Sequence, residues 1–246
     1  MTLLFVIAIL LSAVVYYYYI NYNNIRGQYA AAKGDAETAL FYYQKAYNRK
    51  PNVNNTMNYG YLLLREGRYD DAEVILNSAF MLSKITVDDK VRVRMMIALL
   101  NWKRGELDEA IEIYEALHEV GENTTVYANL GFLYIEKGDM QKAYEYNKAA
   151  YEYNDSNNVI LDNYAECCAK LGDKDTAYEV LLKAVSSRMP IAENYYHFAK
   201  LLHEKGENAE ALKYISRAQS MSINSLSGIT MDDINALEKE ISDEDR

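Results

Sequence analysis

The chain is poor in the residues that mark catalysis, metal binding and covalent cross-linking. It has two cysteines in 246 residues, Cys167 and Cys168, and they are adjacent. Neighbouring positions on a helix point about 100° apart, so the pair is read as two buried thiols rather than a disulfide. Neither a disulfide framework nor a zinc spacing is present. The three histidines are His118, His197 and His203. His197 and His203 stand six apart, not at the i, i+4 spacing of a helical metal pair. No His-Glu-x-x-His, phosphate-loop or Gly-x-Ser-x-Gly motif occurs. The chain is therefore read as no enzyme, with no cofactor and no metal. Basic residues are scarce relative to acidic ones, 26 against 36, and no basic run occurs. That argues against a nucleic-acid partner, whose phosphates need Lys and Arg, and against adhesion to anionic lipid through the repeat surface. Only two prolines are present, Pro51 and Pro190, so long stretches are free to be helical.

What the chain has is a spaced set of small residues. Gly34, Gly67, Gly105, Gly138, Gly172 and Gly206 follow one another at intervals of 33, 38, 33, 34 and 34. Five residues after each stands an alanine: Ala39, Ala72, Ala110, Ala143, Ala177 and Ala211. Seven before each stands Gly27, Gly60, Ala98, Gly131, Ala165 or Ala199. A period near 34 means stacked supersecondary units rather than one globular core. Each unit reads as two helices, with the pacing glycine as a left-handed terminus of the first. The small residues seven before and five after are expected to face each other across the hairpin. The larger residues nine after (Tyr43, Leu76, Tyr114, Leu181, Ile215) would then fill space towards the neighbouring unit. Asn147 breaks that column, and the fourth unit is expected to pack less well there.

One interval is long. Between Gly67 and Gly105 the segment 84–90 intervenes, implying a longer second helix or a longer loop in the second unit. Two readings follow: a tolerated loop insertion, or a bend that separates two binding segments.

The fourth unit, with Tyr127, Leu130, Gly131, Tyr134, Gly138, Ala143 and Ala150, resembles the tetratricopeptide repeat family; the first matches through Gly27, Gly34, Ala39, Tyr43, Ala46 and Pro51. A Sel1-like helical repeat, with a slightly longer period, is the alternative. The resemblance implies an all-α fold: a right-handed superhelical solenoid of antiparallel helix pairs. Six repeats are expected within 21–223, at about 20–52, 53–86, 91–123, 124–157, 158–191 and 192–225. Residues 226–246 are read as a capping helix and acidic tail, with a capping box at Thr230 and an apolar face of Ile234, Leu237 and Ile241.

Residues 1–20 are read as a transmembrane anchor. Leu3 to Ile20 carries no charge and as a helix would be roughly 27 Å long, close to the hydrocarbon thickness. Tyr16 to Tyr19 at its end suit an interfacial belt. A cleavable signal peptide is the alternative, but no basic residue precedes the apolar run and no small-x-small site follows it. Arg26 and Lys33 lie on the C-terminal side, which by the positive-inside rule puts the repeats in the cytoplasm. The first repeat helix is expected to start at or very near the membrane.

The resemblance also implies that the first helices of the units line a groove, faced by positions nine, six, twelve and three before each turn glycine. The candidate partner-binding residues are Asn58, Tyr61, Arg92, Leu99, Trp102, Asn129, Phe132, Ile135, Asn163, Glu166, His197 and Lys200. Asparagines could hold the amides of an extended peptide, and the aromatic and apolar members form a patch of the kind that binds partners. A family clamp for a C-terminal carboxylate would fall on Asn24, Gln28, Asn58, Arg92 and Met96, where its Lys and Arg are mostly missing. The expected function is a membrane-anchored scaffold or adaptor that binds a peptide or helix of a partner protein. Self-association through a tyrosine-rich surface is the alternative, and a regulatory arm of an enzyme a third.

Overall fold

A computed structural model describes residues 2–244. Among them there are thirteen α-helices and no strand. They follow as α1 (Thr2–Ala32), α2 (Ala36–Arg49), α3 (Val53–Arg65), α4 (Tyr69–Ser78), α5 (Val87–Lys103), α6 (Leu107–Val120) and α7 (Thr124–Lys137). The second half holds α8 (Met140–Tyr153), α9 (Asn158–Lys170), α10 (Lys174–Val185), α11 (Ala192–Glu204), α12 (Asn208–Gln219) and α13 (Met231–Glu244). The first residue and the last two, 245 and 246, lie outside the described residues. The chain divides into two compact units, one ending at Leu100 and one starting at Asn101.

The hairpin turns have a single local cause. All six pacing glycines have positive φ, between 72° and 89°, and no other described residue type does. Nothing stands within 4 Å of a Cβ built on any of them. Backbone dihedral, not space, therefore selects glycine there. Where Asp follows the glycine, it caps the next helix: Asp35 accepts from Thr38 N, Asp139 from Lys142 N and Asp173 from Thr176 N.

In the first unit, α1 runs without a break from the apolar stretch into the first hairpin. The side chains from Leu10 to Tyr19 are exposed, and α1 is the one described helix long and apolar enough to cross a membrane. Further along it, Gly27 receives the Tyr43 ring of α2; a Cβ there would lie 2.5 Å from Tyr43 Cδ1. Gly60 receives Leu76 at 2.6 Å in the same way. In the second unit Gly131 receives Asn147, at 2.1 Å. This corrects the expected pairing. The small residue seven before the turn is opposed by the large residue nine after, a knob entering a hole within one hairpin. Ala39, Ala72, Ala110, Ala143, Ala177 and Ala211 are nonetheless all fully buried.

Asn147 also differs from expectation. It is fully buried, and Nδ2 donates to the carbonyls of Gly131 at 3.0 Å and Ala143 at 2.9 Å. Gly131 provides the room, so the amide fills the layer instead of loosening it.

The long interval between Gly67 and Gly105 is spent partly on the expected longer connection, residues 79–86, and partly on the helix that follows it. Helix α4 is short, ten residues, and a 3-10 turn over Ala79–Met81 follows it. Helix α5 then starts at Val87, ahead of the expected 91, and is 17 residues long. Thr86 and Asp89 form a reciprocal cap, with Thr86 N donating to Asp89 Oδ2 and Asp89 N to Thr86 Oγ1, both at 3.1 Å. Part of the insertion thus lengthens the first helix of the third pair.

In the second unit consecutive helices pack on one another from α6 to α13, and α7, α9, α11 and α13 also pack side by side. They form an inner row of first helices. Helix α13 opens with Thr230 and Asp233 exchanging backbone N–H bonds at 2.7 and 3.2 Å. Its Ile234, Leu237 and Ile241 are buried in the α9–α12 core. It continues the row of first helices and covers the apolar end of the stack, as a solenoid requires.

Candidate partner-binding surface

In the first unit the candidates are spread out. Asn58 donates to Asn24 Oδ1 at 3.1 Å, Tyr61 is exposed and Leu99 half-buried. Arg92 pairs with Asp89, one turn back on its own helix, which leaves it committed to the α5 cap.

The second unit gathers most of the rest. Trp102, on the last turn of α5, meets Phe132 of α7 edge-to-face at 4.9 Å between centroids. Lys103 Nζ lies 3.6 Å from the centroid of the Trp102 ring. Burial lowers the Lys103 pKa, against an opposing pull from Glu136. Farther along the row, Glu166, Lys170, His197, Lys200 and Glu204 line a pocket of about 110 Å³ floored by Ala165, Leu181 and Leu201. Glu166 pairs with Lys170 at 2.7 Å. His197 Nδ1 lies 2.9 Å from Asp162 Oδ2. Asp162 is buried and also accepts from Asn194 Nδ2 at 3.1 Å. Burial opposes charge on His197, but Asp162, Glu166 and Glu193 outweigh it and lift its pKa to about 9. The imidazolium is thus the neutral-pH form, placed among carboxylates.

Three candidates are engaged inside the fold. Asn163 is buried and donates to the Ala128 carbonyl of the preceding pair at 2.7 Å. Asn129 donates to Tyr114 Oη at 2.7 Å. Ile135 is buried. The asparagine column therefore bonds one pair to the next, because an amide at that position reaches a neighbouring carbonyl before it reaches solvent. Asn163 and Ile135 offer no free surface, contrary to the expectation for them. Several repeat tyrosines are likewise interior: Tyr127 and Tyr134 are buried and share a ring cluster with half-buried Tyr146 and exposed Tyr153, and half-buried Tyr151 stacks on buried Tyr164.

Sequence reasoning missed one segment. Between α12 and α13 the chain crosses the inner row. Lys103 Nζ donates to the Ser227 carbonyl at 3.3 Å. Gly228 abuts Phe132, so that a Cβ there would be 2.8 Å from Phe132 Cε2, and its N–H favours the charged form of the Glu193 carboxylate, against the burial that raises the Glu193 pKa. The length of this connection, out of step with the short turns between the other helices, was its only signal.

The Tetratricopeptide repeat family model matches residues 20–53, 91–118, 124–157 and 192–222, together just over half of the chain. The chain is a tetratricopeptide repeat protein. Over 135 residues this repeat protein is 33% identical to the transcription activator GutR of Bacillus subtilis. Over 138 residues it is 30% identical to the BBSome complex member BBS4 of Bos taurus. Those stretches make up 50% and 54% of this chain but only 16% and 25% of the two relatives. Among solved structures, the Cut9-Hcn1 hetero-tetramer of the APC/C has a TM-score of 0.67 at 14% identity, over 87% of this chain and 40% of that one. Pseudomonas aeruginosa pilF has a TM-score of 0.62 at 14% identity, over 92% of this chain and 97% of its own. These likenesses establish the all-α repeat solenoid. Tetratricopeptide repeats are protein-interaction scaffolds, and the chain belongs to that class.

Proposed function

We propose that the chain is a membrane-anchored adaptor of six repeats whose inner row of first helices binds a peptide or helix of a partner protein. The α3/α4 and α9/α10 pairs, outside the family matches, carry the same left-handed turn glycine as the others, which supports six. The observation that carries the anchor is the uninterrupted α1. Its exposed apolar stretch leads straight into the first hairpin, and α2 reaches back alongside it: the Arg49 guanidinium donates to the Tyr19 carbonyl at 3.2 Å and lies over the Tyr19 ring. Arg49 joins Arg26 and Lys33 beside the tyrosine belt, adding to the positive charge that favours a cytoplasmic repeat domain. For the partner surface, support comes from Trp102 and Phe132 beside a charged pocket, an aromatic anchor with polar neighbours. One relative is named as a member of a complex, which suits an assembly role.

The test is affinity purification of the full chain from membranes, comparing wild type with Trp102→Ala and Tyr61→Ala. Loss of a partner with either variant supports the surface; retention of every partner by both overturns it. Release of the wild-type chain by an alkaline wash overturns the anchor, and protease digestion of the repeats in intact cells overturns the cytoplasmic placement.

A second reading, self-association, draws on Val74 and Met81, 68% and 88% exposed on α4 and the turn after it. Light scattering of the detergent-solubilised chain decides it: a strict monomer removes this reading.

A further inference from the structure

The inner row of the second unit already carries a ligand-like segment, and it belongs to the same chain. Residues 220–230 leave α12, cross the row and enter α13. Both ends are fixed: Met221 and Ile223 pack against the α9–α13 core, and Ile229 is buried within it. Between those ends the chain is held through its backbone. Lys103, at the end of α5, donates to the Ser227 carbonyl, and the Gly228 N–H lies close enough to the Glu193 carboxylate, at the start of α11, to favour its charge. Gly228 lies against the Phe132 ring of α7, where a Cβ would be 2.8 Å from Cε2. Side chains from two first helices thus hold one short stretch of main chain, and within the stretch Asn224 supports the turn by accepting from Leu226 N at 2.9 Å and Ser227 N at 3.0 Å.

We infer that the Ser225–Gly228 strap occupies the site by which this row recognises an extended peptide, so that a partner segment must displace the strap to bind. The inference rests on the adaptor reading above and adds the chemistry of the ligand. Lys103 reads a carbonyl, a main-chain group common to every peptide, and the Glu193 carboxylate offers a negative charge beside the N–H of the same peptide bond. Phe132 selects a glycine or similarly small residue immediately after the carbonyl that Lys103 holds, because a Cβ there would lie 2.8 Å from Phe132 Cε2. A partner segment of this class is extended and contains a Ser-Gly or Gly-Gly step. The strap is tethered at both ends, and a short tether supplies an effective concentration of about millimolar order. A free peptide therefore meets a site populated only in the strap-released fraction, and its apparent affinity falls by that fraction. A partner gains access by matching the strap's contacts and adding its own, for example at the neighbouring pocket of Glu166, His197 and Lys200.

The experiment uses the full chain in detergent and a fluorescent synthetic peptide of residues 221–230 as probe. Two variants loosen the strap: Gly228→Val, whose branched side chain cannot sit against Phe132, and a Gly-Ser insertion after Asn224, which breaks the Asn224 turn and shifts Ser227 and Gly228 out of register with Lys103 and Phe132. Trp102 is the only tryptophan, and it shares both Phe132 and Lys103 with the strap, so its emission reports release. The expected result is a red-shifted Trp102 emission and probe binding at least about 10-fold tighter than wild type in both variants. Lys103→Ala introduced into either background should cancel the gain. Probe binding in both variants no tighter than wild type overturns the inference, whatever the emission does. Partner capture that depends on Trp102 in the wild-type chain would then still stand, so the two readings fail separately.

Discussion

Asn147 Nδ2 reaches across the α7–α8 hairpin to the Gly131 carbonyl, while its own Oδ1 is buried without a hydrogen-bond partner. The corresponding residues at 76 and 181 are leucines, and both are fully buried. Both carbonyls bonded by the Asn147 amide lie inside helices, where the backbone ladder already serves them. Asn147→Leu therefore removes an unsatisfied oxygen and strands no partner, a gain of about 1 kcal/mol. The thermal unfolding midpoint followed by circular dichroism should rise; a fall would show that the amide bonds matter more than the orphaned oxygen.

Gly131 and Gly138 fail for different reasons. Gly138→Ala places a side chain in open space but at φ 85°, and should cost about 1–2 kcal/mol from backbone alone. Gly131→Ala drives a methyl into Asn147. A double-mutant cycle with Asn147→Ser should recover stability for Gly131→Ala and leave the Gly138→Ala loss unchanged. Equal behaviour of the two pairs would contradict the knob-in-hole packing.

The charged His197 predicts a loss of stability at alkaline pH. Its pKa is raised in the fold, to about 9 from an ordinary 6.5. The contribution is fully present below about pH 6.5, where both folded and unfolded states are protonated, and it is lost as pH rises through 9. The linkage is on the order of 3 kcal/mol. Urea midpoints of the wild type should fall between pH 6 and pH 9.5, and those of His197→Gln should fall much less. A parallel fall in both proteins would place the effect elsewhere.

The adjacent thiols should be inert. Cys167 and Cys168 are both fully buried, and burial pushes the Cys167 thiol up to about 12 and raises Cys168 as well. Thiol reagents need the thiolate. Labelling of the native chain should be slow and should reach both cysteines only on denaturation; fast labelling of either in native buffer would show that α9 opens locally.

The elements legible in the sequence were those with a local cause. A left-handed turn demands glycine wherever it occurs, so the glycine spacing located every hairpin. A long uncharged apolar stretch and the Thr230–Asp233 capping box are equally local. What stayed hidden depends on the reach of side chains across space. The residue nine after the turn was long enough to enter the small position of its own hairpin, which spacing alone did not reveal. The asparagines at 129 and 163 matched a ligand-facing column, yet their amides found a hydroxyl and a carbonyl in the neighbouring pair first. The crossing at Ser227 and Gly228 had no periodicity to betray it, since it is placed by Lys103 and Phe132, residues far away in the chain.

Helix α1 sets an angular phase as well as a distance. From Ile20 to Ala32 it has no break, so the azimuth of the first hairpin about the helix axis is locked to that of the apolar stretch. Each residue of an α-helix advances about 1.5 Å and turns about 100°. A single residue inserted between Tyr16 and Tyr19 would therefore leave the hairpin almost at its original height but swing it by more than a quarter turn about the axis of α1.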